Sequence, residues 1–368
     1  MKINYSDVPH KKLAQIVPRI FPATDGVGDY ALNLARQLRQ DYNIQTHFVV
    51  CDRHWSGDNI IDGFPVSQLS SPTAKELSSW LLKNKVNTVL LQYVGYGYAQ
   101  RGCPTWLVEG LKTWRTKSDR HILVTMFHEI YASGAIWQSA FWLSGIQKRI
   151  AGCLIQSSDR IITNRQASAE ILSTIGKVNI NCIEVIPVFS NIGEPQKLVP
   201  FAQRKKRLVI FGHANSKLRV YQNYIQHLEN IYRAFAIEEI YDIGNYPKFD
   251  FNSISQFKVK TMGILPAEQI SEILANSSVG FMAFPQIDYL GKSGVFASYC
   301  AYGLVPVLPF TNSKNVDGLE ANQNYLSVQK PTDNISISRA ESIARNAYQW
   351  YQNHNLFQQA KIVASLFD

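Results

Sequence analysis

LAQIVPRIFPATDGVGDYALNLARQL, residues 13–38, passes from a short apolar run through a Gly-containing loop into an amphipathic helical pattern. A β-rich run, a turn and a helix form the opening unit of a parallel sheet wrapped by helices. The alternation continues down the chain. It predicts strands at 13–17, 44–50, 88–93, 121–127, 160–164 and 183–188, with helices near 29–39, 73–85, 105–116 and 165–175. Residues 191–207, NIGEPQKLVPFAQRKKR, combine Gly, two Pro and a basic run without hydrophobic periodicity, and read as a linker. A second cycle follows, with strands at 208–212, 239–244, 258–263, 279–284 and 305–310 and helices near 218–235, 266–276 and 292–302. The tail reads as two consecutive helices. The expected class is α/β: two Rossmann-like domains, 1–195 and 196–340, facing each other across a cleft, with helices over 341–368 packing back on the first.

The composition is ordinary for a globular protein, with 46% hydrophobic and 18% charged residues among 368. No apolar stretch approaches the roughly 20 residues needed to cross a bilayer. The polar start, MKINYSDVPHKK, lacks the apolar core of a secretory signal, so a cytoplasmic location is expected. Cys51, Cys103, Cys153, Cys182 and Cys300 are odd in number and contain no C-x-x-C pair, which argues against a disulfide framework or a zinc site. The net charge of +9 points to anionic partners. Nucleic acid is the least favoured of these, because the chain shows no zinc finger, RRM-like signature or long basic helix.

In open parallel sheets ligands bind beyond the carboxyl ends of the strands, so residues just after strands are the candidates. Four such places stand out. After the first strand, Gly26 and Gly28 can take positive φ and let the chain approach a ligand, while Asp29 is placed to cap a helix starting at Tyr30. Read alone, this is equally a tight strand-to-helix turn, and its spacing is not G-x-G-x-x-G. After the fourth, His128 in MFHE could act on a reacting hydroxyl, with Glu129 orienting it, or could be a structural histidine. In VIFGHANSKLRVY, Gly212 permits a turn, and Lys217 and Arg219 offer charge where a diphosphate would be held. In LGKSGVF, Lys292, Ser293, Gly294 and the helix start at Val295 could bind phosphate oxygens, or could be a helix cap over core packing.

Together these segments resemble the GT-B glycosyltransferases, most closely the retaining glycosyltransferase family 4, over nearly the whole chain. DGVGDYALNLA resembles that family's first Gly-rich loop, and His128 its sugar-site histidine. The family's G-R-x-x-x-K pattern, which grips the donor diphosphate, is matched by GHANSK at Gly212 and Lys217, with His213 in the arginine place and Arg219 as its substitute. AYGLVPV is similar to the family's A-C-G-x-P-V-V. That anchor puts the two family glutamates, which contact donor sugar and ribose, at Leu290 and Ser298. Neither is acidic, which leaves Asp288 and Ser298 to supply hydrogen bonds there.

The resemblance implies a glycosyltransferase that moves a sugar from a nucleotide-sugar donor to a hydroxyl acceptor and retains anomeric configuration. The first domain would bind the acceptor and the second the donor. His128 and Lys217 would be catalytic. Gly26, Gly28, Gly212, His213, Arg219, Asp288, Lys292, Ser293, Gly294 and Ser298 would bind donor, and Asp29 and Glu129 acceptor. The chain has no D-x-D pair to hold a metal, so fixed cations and a helix start would stabilise the leaving diphosphate, with no metal and no cofactor beyond the co-substrate. The acceptor would be a glycan or lipid-linked hydroxyl. In residues 136–152, Trp137, Phe141 and Trp142 precede Lys148 and Arg149, a pattern suited to peripheral contact with an anionic membrane and equally to helix packing. Two other readings compete: a sugar- or nucleotide-binding protein of the same fold without catalysis, supported by the absent glutamates, and a sugar-nucleotide epimerase, for which no acid–base pair is evident.

Overall fold

The computed structural model describes residues 11–23, 25–132, 139–284, 287–310, 315–330 and 336–367. The chain forms two compact units. Residues 1–186 and 356–368 make the first, and 187–355 the second.

The first unit contains β1 (Lys11–Val17), α1 (Gly26–Tyr42), β2 (Ile44–Val50), β3 (Ile60–Ile61), β4 (Phe64–Gln68), α2 (Ala74–Lys83), β5 (Thr88–Tyr93), α3 (Gly95–Tyr98), α4 (Thr105–Arg115), β6 (Ile122–Phe127), α5 (Ser139–Ser157), β7 (Arg160–Thr163), α6 (Gln166–Gly176) and β8 (Ile183–Val185). Its sheet runs β3-β4-β2-β1-β5-β6-β7-β8 and is parallel except for the β3–β4 pair. The sequence order reverses between β1 and β5, which makes a switch point at their carboxyl ends. Strands β5 and β6 are almost wholly buried, as expected of parallel strands covered by helices on both faces.

The second unit contains β9 (Lys205–Phe211), α7 (Ala214–Asn223), α8 (Ile225–Ala234), β10 (Glu239–Ile243), β11 (Val259–Gly263), α9 (Ala267–Ala275), β12 (Ser277–Phe281), α10 (Gly294–Ala301), β13 (Val305–Leu308), β14 (Leu326–Ser327) and α11 (Ile337–Gln352). Its sheet order, β11-β10-β9-β12-β13-β14, is that of a Rossmann fold, with the switch point between β9 and β12. The core packs Leu208, Ile210, Val279, Phe281, Val305 and Val307 from the central strands against Val220, Leu228, Ile231, Ile343 and Ala344 from the helices. α12 (Leu356–Ser365) belongs to the first unit, where the Tyr30 hydroxyl on α1 donates 2.7 Å to Gln359 Oε1. The preceding helix, α11, stays with the second unit.

Local structure departs from the sequence reading in three instructive places. α1 begins at Gly26, and its cap is Asp25, whose carboxylate accepts from Val27 N and Gly28 N at 2.9 and 3.0 Å. Asp29 therefore lies in the first turn. Neither Gly26 nor Gly28 has positive φ; Gly28 is required because a Cβ there would sit 2.5 Å from the Arg19 carbonyl oxygen. The region expected as one helix over 218–235 is broken at Tyr224 (φ −129°, ψ 24°), a break that no Gly or Pro signals. The basic run ending the expected linker starts β9 instead. Arg207 reaches Glu239 on the neighbouring strand at 2.6 Å, and Lys260 on the next strand reaches the same carboxylate at 2.7 Å. The cross-strand ion network, which needs the fold to exist, makes the buried Arg207 tolerable in the strand, while Lys205 and Lys206 keep their charges in solvent.

Candidate active site

At the carboxyl ends of β9 and β12 the second unit opens a concavity lined by Gly212, His213, Ser216, Lys217, Met282 and Val295 among others. The backbone makes room for it: Gly212 has φ 130°, and Gly244, at the end of β10, has φ 103° with its α-carbon so close that a Cβ would lie 2.5 Å from the Gly212 carbonyl oxygen. Only glycine combines that conformation with that approach. His213 is the exposed residue preceding α7, and Gly212 lies 3.5 Å (as a built Cβ) from Val295 on the first turn of α10. Thus two expected donor residues, Gly212 and His213, share one wall with Lys217, expected to be catalytic, and the start of α10 forms another.

Lys217 is not presented as an open cation. Its side chain is completely buried, with Nζ 2.5 Å from Asp242 Oδ1, and the Tyr221 hydroxyl donates 2.8 Å to the other oxygen of the same carboxylate. Burial drives the Asp242 carboxyl above its ordinary range, against the opposing pull of Lys217 and Tyr221. The Tyr221 hydroxyl, buried beside that carboxylate, is pushed well above its usual range. The cation expected to grip a diphosphate is thus held in the floor of the concavity by a counter-ion on β10.

The remaining donor candidates divide. Ser293 caps α10, its hydroxyl accepting from Phe296 N at 3.1 Å. Ser298 is fully buried and bonded to the Gly294 carbonyl at 2.7 Å and to the Ser190 hydroxyl at 2.9 Å, so it supports the loop from within instead of facing a ligand. Lys292 lies over the Tyr289 ring at 4.3 Å, Asp288 is exposed in the 3-10 turn before it, and Arg219 is half-buried on α7. Gly294 is half-buried at the helix start with a built Cβ 3.9 Å from the Asn191 amide.

In the first unit, His128 follows β6 and Gly28 follows β1, and the two segments meet through an edge-on contact of the Tyr30 and His128 rings at 5.0 Å. His128 Nε2 lies 2.7 Å from Oε1 of Gln92, a fully buried residue of β5. With that oxygen accepting, the imidazole carries a proton on Nε2, and Gln92 sets the ring's tautomer and direction. Asp29 is raised to about 6 by burial, with Asp25 adding to the shift and Arg36 opposing it. Glu129 is exposed next to His128, and both backbone amides point at the Tyr93 carbonyl. Gly26 is exposed on the first turn of α1. Because Asp25 takes the Val27 and Gly28 amides, the start of α1 offers those two donors to its own cap. Among the described residues no three His, Cys, Asp or Glu side chains gather in a group that could hold a metal ion.

No protein-family model and no curated protein sequence matches the chain. Solved structures do. A glycosyltransferase from Rickettsia africae superposes with a TM-score of 0.62 at 12% identity, over 98% of each chain. WaaG, a glycosyltransferase involved in lipopolysaccharide biosynthesis, gives 0.61 at 10% identity over 96% of this chain and 99% of that one. Anabaena Alr3699/HepE in complex with UDP-glucose gives 0.58 at 13% identity over 97% and 100%. The fold is that of the GT-B glycosyltransferases.

Within this GT-B fold, the functional candidates that sequence reading missed are Gln92, Asp242 and Tyr221. Two carried a signal. An acid in the strand EIYDI and a glutamine in TVLLQY are out of place on strands that a parallel sheet buries, and each demands a partner. Which partner was not readable, because Lys217 lies 25 residues before Asp242 and His128 lies 36 residues after Gln92. Trp137 and the Phe141 side chain lie outside the described part of the structure; Trp142 is 70% exposed on α5.

Proposed function

We propose that the chain is a glycosyltransferase that takes a sugar from a nucleotide-sugar donor bound at the carboxyl ends of β9 and β12 and transfers it to a hydroxyl acceptor held by the first unit. The observation that supports this best is the concavity at the β9/β12 switch point, in a fold shared over almost the full chain with glycosyltransferases, two of whose relatives hold UDP or UDP-glucose. A uridine diphosphate is accordingly the first donor class to test. Departure of a diphosphate concentrates negative charge at the leaving oxygen, and charges fixed in advance are the effective way to stabilise it. In this reading Lys217, Arg219, Lys292 and the start of α10 supply that field without a metal, and Lys217 is drawn from Asp242 toward the diphosphate. His128, with its proton set by Gln92, lies on the acceptor side. Retention of configuration is part of the proposal through the family resemblance.

Melting of the purified protein with UDP, GDP, ADP, CMP and their sugar conjugates, each with EDTA and with magnesium, tests it. One nucleotide family is expected to raise the midpoint equally in both conditions, by about 2.7 kcal/mol of stabilisation at a concentration 100 times its dissociation constant. A shift seen only with magnesium would refute the metal-free site. The engagement of Lys217 by Asp242 also favours a second reading, a binding protein without turnover. Donor hydrolysis separates them: the transferase releases UDP slowly from UDP-sugar in the absence of acceptor, and the binder does not.

We also infer peripheral membrane contact through α5. Trp142 and Ile146, one turn apart, are 70% and 49% exposed, and Lys148 and Arg149 are exposed beyond them. Among the described residues no helix is long and apolar enough to cross a membrane. Co-sedimentation with vesicles containing anionic phosphatidylglycerol is expected to fall several-fold in Trp142→Ser and with rising salt. Equal pelleting of the variant and the wild type would remove this inference.

A further inference from the structure

Lys217 lines the concavity at the ends of β9 and β12, yet its ammonium is turned inward, onto a carboxylate as enclosed as itself. The pair joins α7 to β10, the strand beside β9. The surroundings of Asp242 are few and can be named. From α7 come the Lys217 ammonium on Oδ1 and the Tyr221 hydroxyl, which donates 2.8 Å to Oδ2. Tyr299 of α10 lies nearby, but its hydroxyl is committed to β9: it donates to the Val209 carbonyl and accepts from the Phe211 amide, both at 3.1 Å. The residues in register with Asp242 on the flanking strands, Ile210 of β9 and Thr261 of β11, carry no charge. Among the described residues, Lys217 is the cation that balances this carboxylate.

An anion that draws Lys217 into the concavity strips that balance away. The flexible four-carbon stem of a lysine lets its ammonium swing while the helix stays in place. Asp242 cannot follow, because it is fixed in the middle of a strand. The Tyr221 hydroxyl is then the one hydrogen-bond donor left on it. An ionised carboxylate enclosed without a counter-ion takes up a proton instead of remaining charged. Burial already drives Asp242 in that direction while Lys217 is still in place. Tyr221 is no source for the proton, since burial beside the carboxylate holds its hydroxyl protonated. The proton comes from solvent.

We propose that binding of a nucleotide-sugar diphosphate at this concavity is coupled to the uptake of a single proton by Asp242. The coupling rests on the transferase reading above, and it makes Asp242 a positioning residue for Lys217. Charged, Asp242 holds the ammonium in the floor; protonated, it releases the ammonium to the phosphate oxygens. The added proton cancels the charge that Lys217 leaves behind, so the floor stays neutral in both states. The sign of the pH dependence follows. Ionised Asp242 competes with the donor for Lys217, and donor affinity therefore falls as pH rises.

Isothermal titration calorimetry of the full chain at pH 7.5 with UDP-glucose, GDP-mannose and ADP-glucose, each in PIPES and in Tris, counts the proton, because the buffer that surrenders it adds its own heat of ionisation. These sugar conjugates lack the terminal phosphate that titrates near neutral pH in UDP. About one proton is expected to be taken up per donor bound, and the dissociation constant should rise about tenfold from pH 7 to pH 8. Asp242→Asn, which keeps an acceptor oxygen for Tyr221, should take up none and bind with a flat pH profile. A melting curve reports whether that variant is folded; if it is not, the wild-type count decides alone. His213 lines the same concavity, so His213→Gln is the control, and it should keep the uptake. Donor binding without proton uptake overturns the coupling and leaves the transferase reading standing, as does uptake that persists in folded Asp242→Asn or vanishes in His213→Gln. Absence of binding by all three donors defeats both.

Discussion

Lys217→Ala is expected to destabilise the second unit by about 3–5 kcal/mol, the cost of stranding one member of a buried ion pair. Asp242 would remain fully enclosed beside Tyr221, and its carboxyl would either stay charged without compensation or take up a proton. In a unit of this size the melting midpoint should fall by roughly 10 °C. The double variant Lys217→Met, Asp242→Asn is expected to recover most of that loss. It removes both charges together and leaves Tyr221 an acceptor oxygen. Differential scanning calorimetry of the three proteins decides the structural claim, and a Lys217→Ala variant that melts like the wild type would defeat it. The double variant then allows a cleaner question than the single one. If Lys217 moves to the donor diphosphate, the folded double variant should lose the UDP-induced rise in midpoint; if Lys217 only braces α7 against β10, the rise should persist.

Acidification should remove about 3–5 kcal/mol through one histidine alone. His354 closes the second unit, packed against Trp350 at 4.2 Å and Tyr351 at 5.5 Å between ring centroids, and burial lowers it from 6.5 to about 3. The unfolded chain takes up this proton below pH 6.5, and the folded chain does not until about pH 3. Protons are therefore bound preferentially by the unfolded state in that window, and stability falls as pH falls from 6.5 to 3. Chemical denaturation of wild type and His354→Leu at pH 7, 5.5 and 4 measures the difference in slope. Whatever the absolute stability of the variant at pH 7, its curve should be flatter by the amount His354 contributes. Parallel curves would show that His354 is protonated in the folded protein.

Much of this architecture is legible in the chain, because hydrophobic periodicity reports burial directly. The near-continuous apolar runs of β5, β6, β12 and β13 read as strands covered on both faces, and their expected ends lie within three residues of the observed ones. Elements without such a pattern were lost. β3 and β14 have two residues each, too few for a period, and the break at Tyr224 has no Gly or Pro to mark it. The start of α1 was misjudged because Asp25 and Asp29 are both competent caps. The choice falls to Asp25 because Gly28 can lie against the Arg19 carbonyl, and that close approach is a tertiary fact.

The order of strand and helix, the glycines at strand ends and the residue types beside them were determined by the sequence alone, since each depends on neighbours a few positions away. The partners of those residues were decided by the tertiary structure. Lys217 reads as a free cation on a helix start, yet the fold sets it 2.5 Å from Asp242. Ser298 reads as a polar residue on a ligand-binding helix, yet its hydroxyl is bonded inward to Gly294 and Ser190. His128 reads as one histidine among eight, and only the adjacency of β5 and β6 gives it Gln92. The physical reason is the same in each case. A buried polar group must find a partner, and that partner is supplied by whichever strand or helix the sheet order brings alongside, however distant along the chain.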